Sequence, residues 1–192
     1  MTIEKRQLSE QNDNFIMLPT VDFCFKELMQ NKEVRKGILS ALLGKNPEEL
    51  EDTELLPTIL QPEYQDEKLG ILDVRVLFAD GTQTDLEMQV VQFDFWPNRV
   101  LFYLGKMYTG QIKRGEPYEK LKKCIHVSIL DFLHFPKDDR CFRKITFCDV
   151  ETGEVYTDLM EIYVLELGKL PTEDRNAVSY THLRAHETAA NL

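Results

Sequence analysis

Two strand-like runs joined through Ala79-Asp80-Gly81 constrain this chain more than any other feature. GILDVRVLF leads into the turn and TQTDLEMQVVQF leaves it. Asp-Gly between alternating runs is a hairpin signal. Loop length decides the face each side chain takes, because side chains alternate with period two. A two-residue loop would pair Ala79 with Thr82 and place Met88 opposite Asp73. A three-residue loop with Gly81 in the left-handed region pairs Phe78 with Thr82, Val74 with Leu86 and Asp73 with Glu87. Only this second register sorts the faces, with Leu72, Val74, Val76, Leu86, Met88 and Val90 on one side and Asp73, Arg75, Asp85, Glu87 and Gln89 on the other. Slipping by one residue exposes the whole apolar set, so the three-residue loop is predicted.

That register sets two carboxylates side by side. They repel and are costly to desolvate, so a fold that keeps them together usually places a divalent cation between them. The constellation Asp73…Glu87-x-Gln89 therefore points to metal-assisted hydrolysis, of a phosphodiester above all. Spacing alone fits equally the polar outer face of an amphipathic hairpin. Arg75 opposite Asp85 reads as a cross-strand charge pair.

Upstream, VDFCFKELMQN and KEVRKGILSALLG read as two short helices, with Phe23, Leu28, Ile38, Leu42 and Leu43 as core positions and Gly44 as the stop. Thr20 and Asp22 are candidate caps for the first. Pro47, Pro57 and Pro62 exclude a long helix between Asn46 and Lys68, though LPTILQPEY can hold a strand. Downstream, Pro97-Asn98 opens a helix expected to run to Gly115, with Val100, Tyr103, Leu104, Met107 and Ile112 at helical spacing. KCIHVSILDFLHF reads as a buried central strand, in which His126 is a hydrogen-bonded core residue rather than a general base. RCFRKITFCDV, the turn at Glu151-Thr152-Gly153 and MEIYVLELGKL supply further strands. The order implies an α/β fold with a mixed sheet flanked by helices.

A chain of 192 residues with 43% hydrophobic content can bury one sizeable core. No stretch reaches the length of a membrane span, and the start MTIEKRQLSEQND has no apolar signal region, so a cytoplasmic protein is expected. Cys24, Cys124, Cys141 and Cys148 lack CxxC spacing, which predicts reduced thiols and no zinc site. The net charge of -10 argues against general nucleic-acid affinity. Between Arg99 and Lys123, however, seven basic residues (Arg99, Lys106, Lys113, Arg114, Lys120, Lys122 and Lys123) outnumber two acidic ones. A basic strip just after a carboxylate pair suits a phosphate-cutting enzyme, and a solvated helix face accounts for the charge as well.

The last stretch breaks character. VSYTHLRAHET holds His182 and His186 at i, i+4, a pattern that imitates a metal pair. The string resembles one reading frame of a transposon-end sequencing adapter, and such scars are excluded from fold reasoning. The expected organisation is a polar leader over 1–18, one domain over 19–176 that is truncated at its C-terminus, and a non-native tail over 177–192.

GILDVRVLFADGTQTDLEMQV, then RVLFYLGKMYTGQIKRGEPYEKLKKCIHVSILDF, with DFCFKELMQN…ILSALLG upstream, resembles the PD-(D/E)xK nuclease-like transposases of the Rpn type, described as recombination-promoting nucleases. The resemblance spans roughly Pro19 to Leu170. It implies a restriction-endonuclease-like core that cuts DNA with Mg²⁺ or Mn²⁺, the metal held by Asp73, Glu87 and the Met88 carbonyl. Gln89 stands where many such enzymes place lysine, and glutamine is usual in this group; it would position the attacking water. Arg99 and Tyr103 match recurring family positions and, with Lys106, Lys113 and Arg114, are the expected DNA contacts. Arg99 or Lys106 would supply the charge that Gln89 lacks. DNA is the expected partner, with a homodimer as a further candidate assembly. An inactive relative serving as a DNA- or protein-interaction module is the alternative.

Overall fold

The turn is three residues long. In the computed structural model, which describes residue 20, residues 22–62, residue 66 and residues 68–170, the Phe78 N–H donates to the Thr82 carbonyl at 2.9 Å, and the Gly81 N–H to the Phe78 carbonyl at 2.9 Å. Gly81 takes φ +86°. Strands β4 (Val74–Leu77) and β5 (Gln83–Gln89) pair antiparallel, with Val74 opposite Leu86 and Arg75 opposite Asp85, as the alternation predicts. Side-chain partners differ from the expected charge pair: Arg75 donates to Gln83 Oε1 at 2.6 Å, while Asp85 turns to His126. An alanine Cβ at Gly81 would lie 2.9 Å from Lys122 Cγ. Gly81→Ala is therefore expected to cost about 1–2 kcal/mol from left-handed strain alone. Urea unfolding measures it, and an unchanged midpoint would show that the turn does not need this conformation.

The hairpin sits in a six-stranded mixed sheet of order β1-β4-β5-β6-β8-β7, with β1 (Glu54–Leu56), β6 (Cys124–Leu130), β7 (Phe142–Cys148) and β8 (Val155–Glu166). The β5–β6 and β6–β8 pairs are parallel and the others antiparallel. Strands β2 (Ile59–Leu60) and β3 (Gly70–Ile71) form a separate antiparallel pair. All seven residues of β6 are buried, as expected for a central strand covered on both faces.

Helices α1 (Asp22–Gln30) and α2 (Lys32–Leu43) lie on one face. Asn31 caps α2 by accepting from the Glu33 and Val34 amides, and Gly44 ends it at φ 67°. Buried Arg35 donates to the Met29 and Gln30 carbonyls, closing the C-terminal end of α1. Phe25, Met29, Leu39, Leu42 and Leu43 pack on Val74, Val76, Leu86, Ile125, Val127 and Ile129. Each such side chain contributes roughly 1.5–3 kcal/mol by leaving water. Helix α3 (Trp96–Thr109) covers the other face, packing Tyr103, Leu104 and Met107 against Leu60, Leu72 and Cys124, and Trp96 and Val100 against Leu130 and Val164.

Four details depart from the sequence expectations. Phe23 is 65% exposed, and Phe25 and Met29 form the buried stripe of α1 in its place. Helix α3 stops at Thr109, short of Gly115, because the Gln111 side chain bonds both the Lys122 N–H and carbonyl and draws the chain off the helix axis. Leu72 joins the α3 side, since β3 pairs with β2 and the chain bends between Ile71 and Val74. Val90 lies beyond the end of β5 and is exposed. The four cysteines are free. No helix among the described residues is long and apolar enough to cross a membrane. The leader over 1–18 and the segment with His182 and His186 lie outside the described residues.

Candidate active site

Parallel pairing of β5 with β6 sets Asp85 beside His126 and Glu87 beside Ser128 on the α3 face of the sheet. All four side chains are buried. His126 Nδ1 lies 2.7 Å from Asp85 Oδ2, and Nε2 lies 2.9 Å from Ser128 Oγ. His126 is thus the satisfied core histidine the sequence suggests. One ligand-capable atom from each of Asp85, Glu87 and His126 falls within 4.8 Å of the others. From α3, Arg99 Nη2 donates to Glu87 Oε1. Its guanidinium lies over the rings of Trp96 and Tyr103, at 5.7 and 5.2 Å, which fixes its direction.

Asp73 occupies the bend before β4. Because Leu72 leaves the ladder there, the Met88 N–H has no strand partner, and Asp73 Oδ2 accepts it at 3.3 Å. The Met88 carbonyl points to the same edge of β5. Lys26, on α1, places Nζ 3.3 Å from Asp73 Oδ1. The Asp73 side chain is 17% exposed and that of Glu87 only 2%, so Asp73 is the end of the cluster open to solvent. Gln89 donates its amide to the Val91 carbonyl at 3.0 Å.

Burial pushes the Glu87 carboxyl up to about 7; His126 and Arg99 oppose this, and the Asp73 and Asp85 charges add to it. Burial works against a charged His126 ring, but the adjacent Asp85 carboxylate outweighs it and the imidazole pKa is raised. Among the described residues, Glu87 Oε2 and Asp85 Oδ1 are buried oxygens without a hydrogen-bond partner. Such orphans are rare in folded proteins, and acceptor-only carboxylate oxygens suit a hard cation.

A stability prediction follows for the metal-free protein. Folded Glu87 holds its proton to about pH 7, whereas the unfolded chain releases it near 4.5. The folded state therefore binds the extra proton between these values, and stability falls as pH rises across that window, by roughly 3 kcal/mol. The contribution of His126 has the same sign, present below 6.5 and lost as pH climbs through its raised folded value. Thermal melts in a chelator should show Glu87→Gln flattening the slope below pH 7. Parallel wild-type and Glu87→Gln curves would mean that Glu87 is not held protonated.

A family model described as PD-(D/E)XK nuclease family transposase matches residues 19–184. The chain belongs to that family. The six-stranded mixed sheet between helices is the restriction-endonuclease-like arrangement expected of a PD-(D/E)XK nuclease. No curated protein and no solved structure matches the chain.

Within this PD-(D/E)XK frame, the residues singled out in the sequence are only partly gathered. Toward the C-terminal end of β5, Asp73 accepts the Met88 N–H and Arg99 donates to Glu87. Tyr103 is buried beneath Arg99, and Lys106 lies over the Phe102 ring at 5.7 Å. Lys113 and Arg114 are exposed in the segment that returns to Lys122 and Lys123, beside Gln83 at the far end of β5. Four residues of strand, about 13 Å, separate that end from Glu87. Lys123 there is paired with Asp158 and Glu161, and Lys120 with Glu116. Sequence reasoning did not single out Lys26, nor the Asp85–His126–Ser128 chain. The latter was readable from the alternation of His126 and Ser128 once β6 is laid parallel to β5.

Proposed function

We propose that the chain is a divalent-metal-dependent DNA endonuclease, using Mg²⁺ or Mn²⁺, that makes the cuts from which DNA recombination starts. The observation that carries this is the buried Glu87 carboxylate, one oxygen on Arg99 and the other unpartnered among the described residues, close enough to the partly exposed Asp73 to feel its charge. Asp73, Glu87 and the Met88 carbonyl are the residues to hold the ion. The Asp85–Glu87–His126 group fits less well, because both His126 nitrogens are engaged, one with Asp85 and one with Ser128. Asp85 and His126 are also closed to solvent, where DNA must approach.

The chemistry such an ion supplies when bound is a water of lowered pKa and a positive charge opposite the phosphate. The chain itself does the rest. Arg99 offsets the Glu87 charge and keeps its carboxylate aimed. Gln89 holds the start of the 90–95 loop, from which its amide reaches an attacking water only by leaving Val91. Exposed Lys113 and Arg114 hold the DNA backbone farther along the duplex. A double-strand cut needs two such centres, which a homodimer would provide.

The test is nicking of supercoiled plasmid by the purified protein with Mg²⁺ or Mn²⁺, abolished by EDTA. DNA bound but uncut with every divalent ion would overturn the nuclease reading and favour an inactive interaction module.

A further inference from the structure

Strand β5 does not end in a polar turn. The loop after Gln89, Val90-Val91-Gln92-Phe93-Asp94-Phe95, is rich in apolar side chains, and Val90, Val91 and Phe95 are 48%, 54% and 57% exposed. Phe93 and Phe95 stack on each other, ring centroids 5.1 Å apart and planes 15° from parallel. Apolar side chains crowded into one exposed loop mark a contact surface.

Both ends of this loop are tied to the carboxylate at the centre of the site. Glu87 and Gln89 share β5, and the Gln89 carbonyl accepts the Asp131 N–H at 3.0 Å. At the other end, the Arg99 N–H donates to the Phe95 carbonyl at 3.1 Å, while the Arg99 guanidinium donates to Glu87. Trp96, 1% exposed, roots that end in the core. A loop this short, pinned at both ends beside Glu87, stays within reach of whatever lies on that carboxylate.

The chemistry of the loop selects what it touches. It holds one acid, Asp94, and no basic residue, so it does not suit a phosphate backbone. Flat aromatic surface suits the face of a nucleobase, which every base offers and which a continuous duplex hides in its stack. Apolar side chains that enter a duplex do so by parting a base step.

We propose that the 90–95 loop is an apolar wedge that stacks on unpaired bases beside the scissile phosphate. The preferred substrate is then DNA whose bases are already parted at the cut, as at a bulge, a branch or a single strand. This rests on the nuclease reading. Phe95, the most exposed of the apolar residues, receives the base, with the Phe93 ring stacked against it and Val90 and Val91 beside the opened step.

The experiment compares one duplex with the same duplex carrying a central bulge of unpaired bases. Affinity is read by fluorescence anisotropy in Ca²⁺, and single-turnover cleavage in Mn²⁺, for wild type, Phe95→Ala and Leu101→Ala. Leu101 is 52% exposed on α3, outside the loop, and controls for the loss of exposed apolar surface. Wild type is expected to bind the bulged DNA roughly tenfold or more tighter than the continuous duplex and to cut beside the bulge. Phe95→Ala should lose about 5- to 100-fold of its affinity for bulged DNA, with duplex affinity held within about twofold. Leu101→Ala should match wild type. Equal wild-type affinity for both DNAs, or a preference that survives in Phe95→Ala, would overturn the proposal. So would loss of self-association in Phe95→Ala with the preference intact, which would assign the loop to a second copy of the chain. A Phe95-dependent preference in Ca²⁺ without cutting of any DNA would leave the base contact standing and refute the nuclease reading alone.

Discussion

Replacing Asp73 or Glu87 with alanine is expected to lower metal-dependent DNA cleavage by at least about 10³-fold, each for its own reason. Asp73 is the carboxylate at the open end, and it also receives the Met88 N–H that the strand bend frees. Its removal takes away a metal oxygen and the clasp on the Met88 peptide together. Glu87 is buried and carries the unpartnered oxygen, so its loss removes the strongest demand for a cation and leaves Arg99 without its carboxylate. Mn²⁺ titration separates these variants from a folding defect: both should bind the ion at least tenfold more weakly, roughly 1.4 kcal/mol, with far-ultraviolet circular dichroism unchanged. Cleavage that survives in Asp73→Ala would move the metal to the buried Asp85–Glu87–His126 group.

The second large effect is on stability. Asp85 and His126 are fully buried and 2.7 Å apart, with Ser128 on the far ring nitrogen. Asp85→Ala strands a fully buried imidazole without its carboxylate partner, and breaking such a buried pair costs about 3–5 kcal/mol. For a chain of this size that lowers the melting temperature by roughly 10 °C. Replacing both partners, as in Asp85→Val with His126→Leu, should restore most of the loss, because an apolar pair leaves no charge unpaired. A single variant that melts within about 2 °C of wild type would show that the pair is not ionised in the folded protein. Glu87 would also lose the His126 charge that favours its ionised form, so Asp85→Ala should weaken Mn²⁺ binding without touching a proposed ligand.

The hairpin register was legible because a period of two leaves a single sorting of faces for Val74, Val76 and Leu86, and the Asp80-Gly81 pair marked the turn. The ladder stops at Val74 opposite Leu86, so Asp73 lies in the bend before it and not in the direct pair with Glu87 that the alternation predicts. The phase of α1 was not legible: a helix of 9 residues offers too few apolar positions to choose between Phe23 and Phe25. Nor was the end of α3, which depends on Gln111 finding Lys122, eleven positions later. Leu72 was misplaced because the pairing of β3 with β2 is a tertiary choice that interrupts alternation. The site residues that escaped notice share a physical cause. Asp85 and His126 are 41 positions apart, and Lys26 and Asp73 meet only when α1 docks on the sheet, so no local spacing reports either contact.

The sheet order carries a consequence for synthesis. Strand β8 is the last strand in sequence among the described residues, yet it lies inside the sheet between β6 and β7. As the chain leaves the ribosome, β6 emerges with one edge satisfied by β5, while the other waits for residues 155–166. Strand β7 appears earlier but takes its place only through β8. Any product that stops before β8 therefore presents the open edge of a strand that is wholly buried in the finished fold, a template for pairing with other chains.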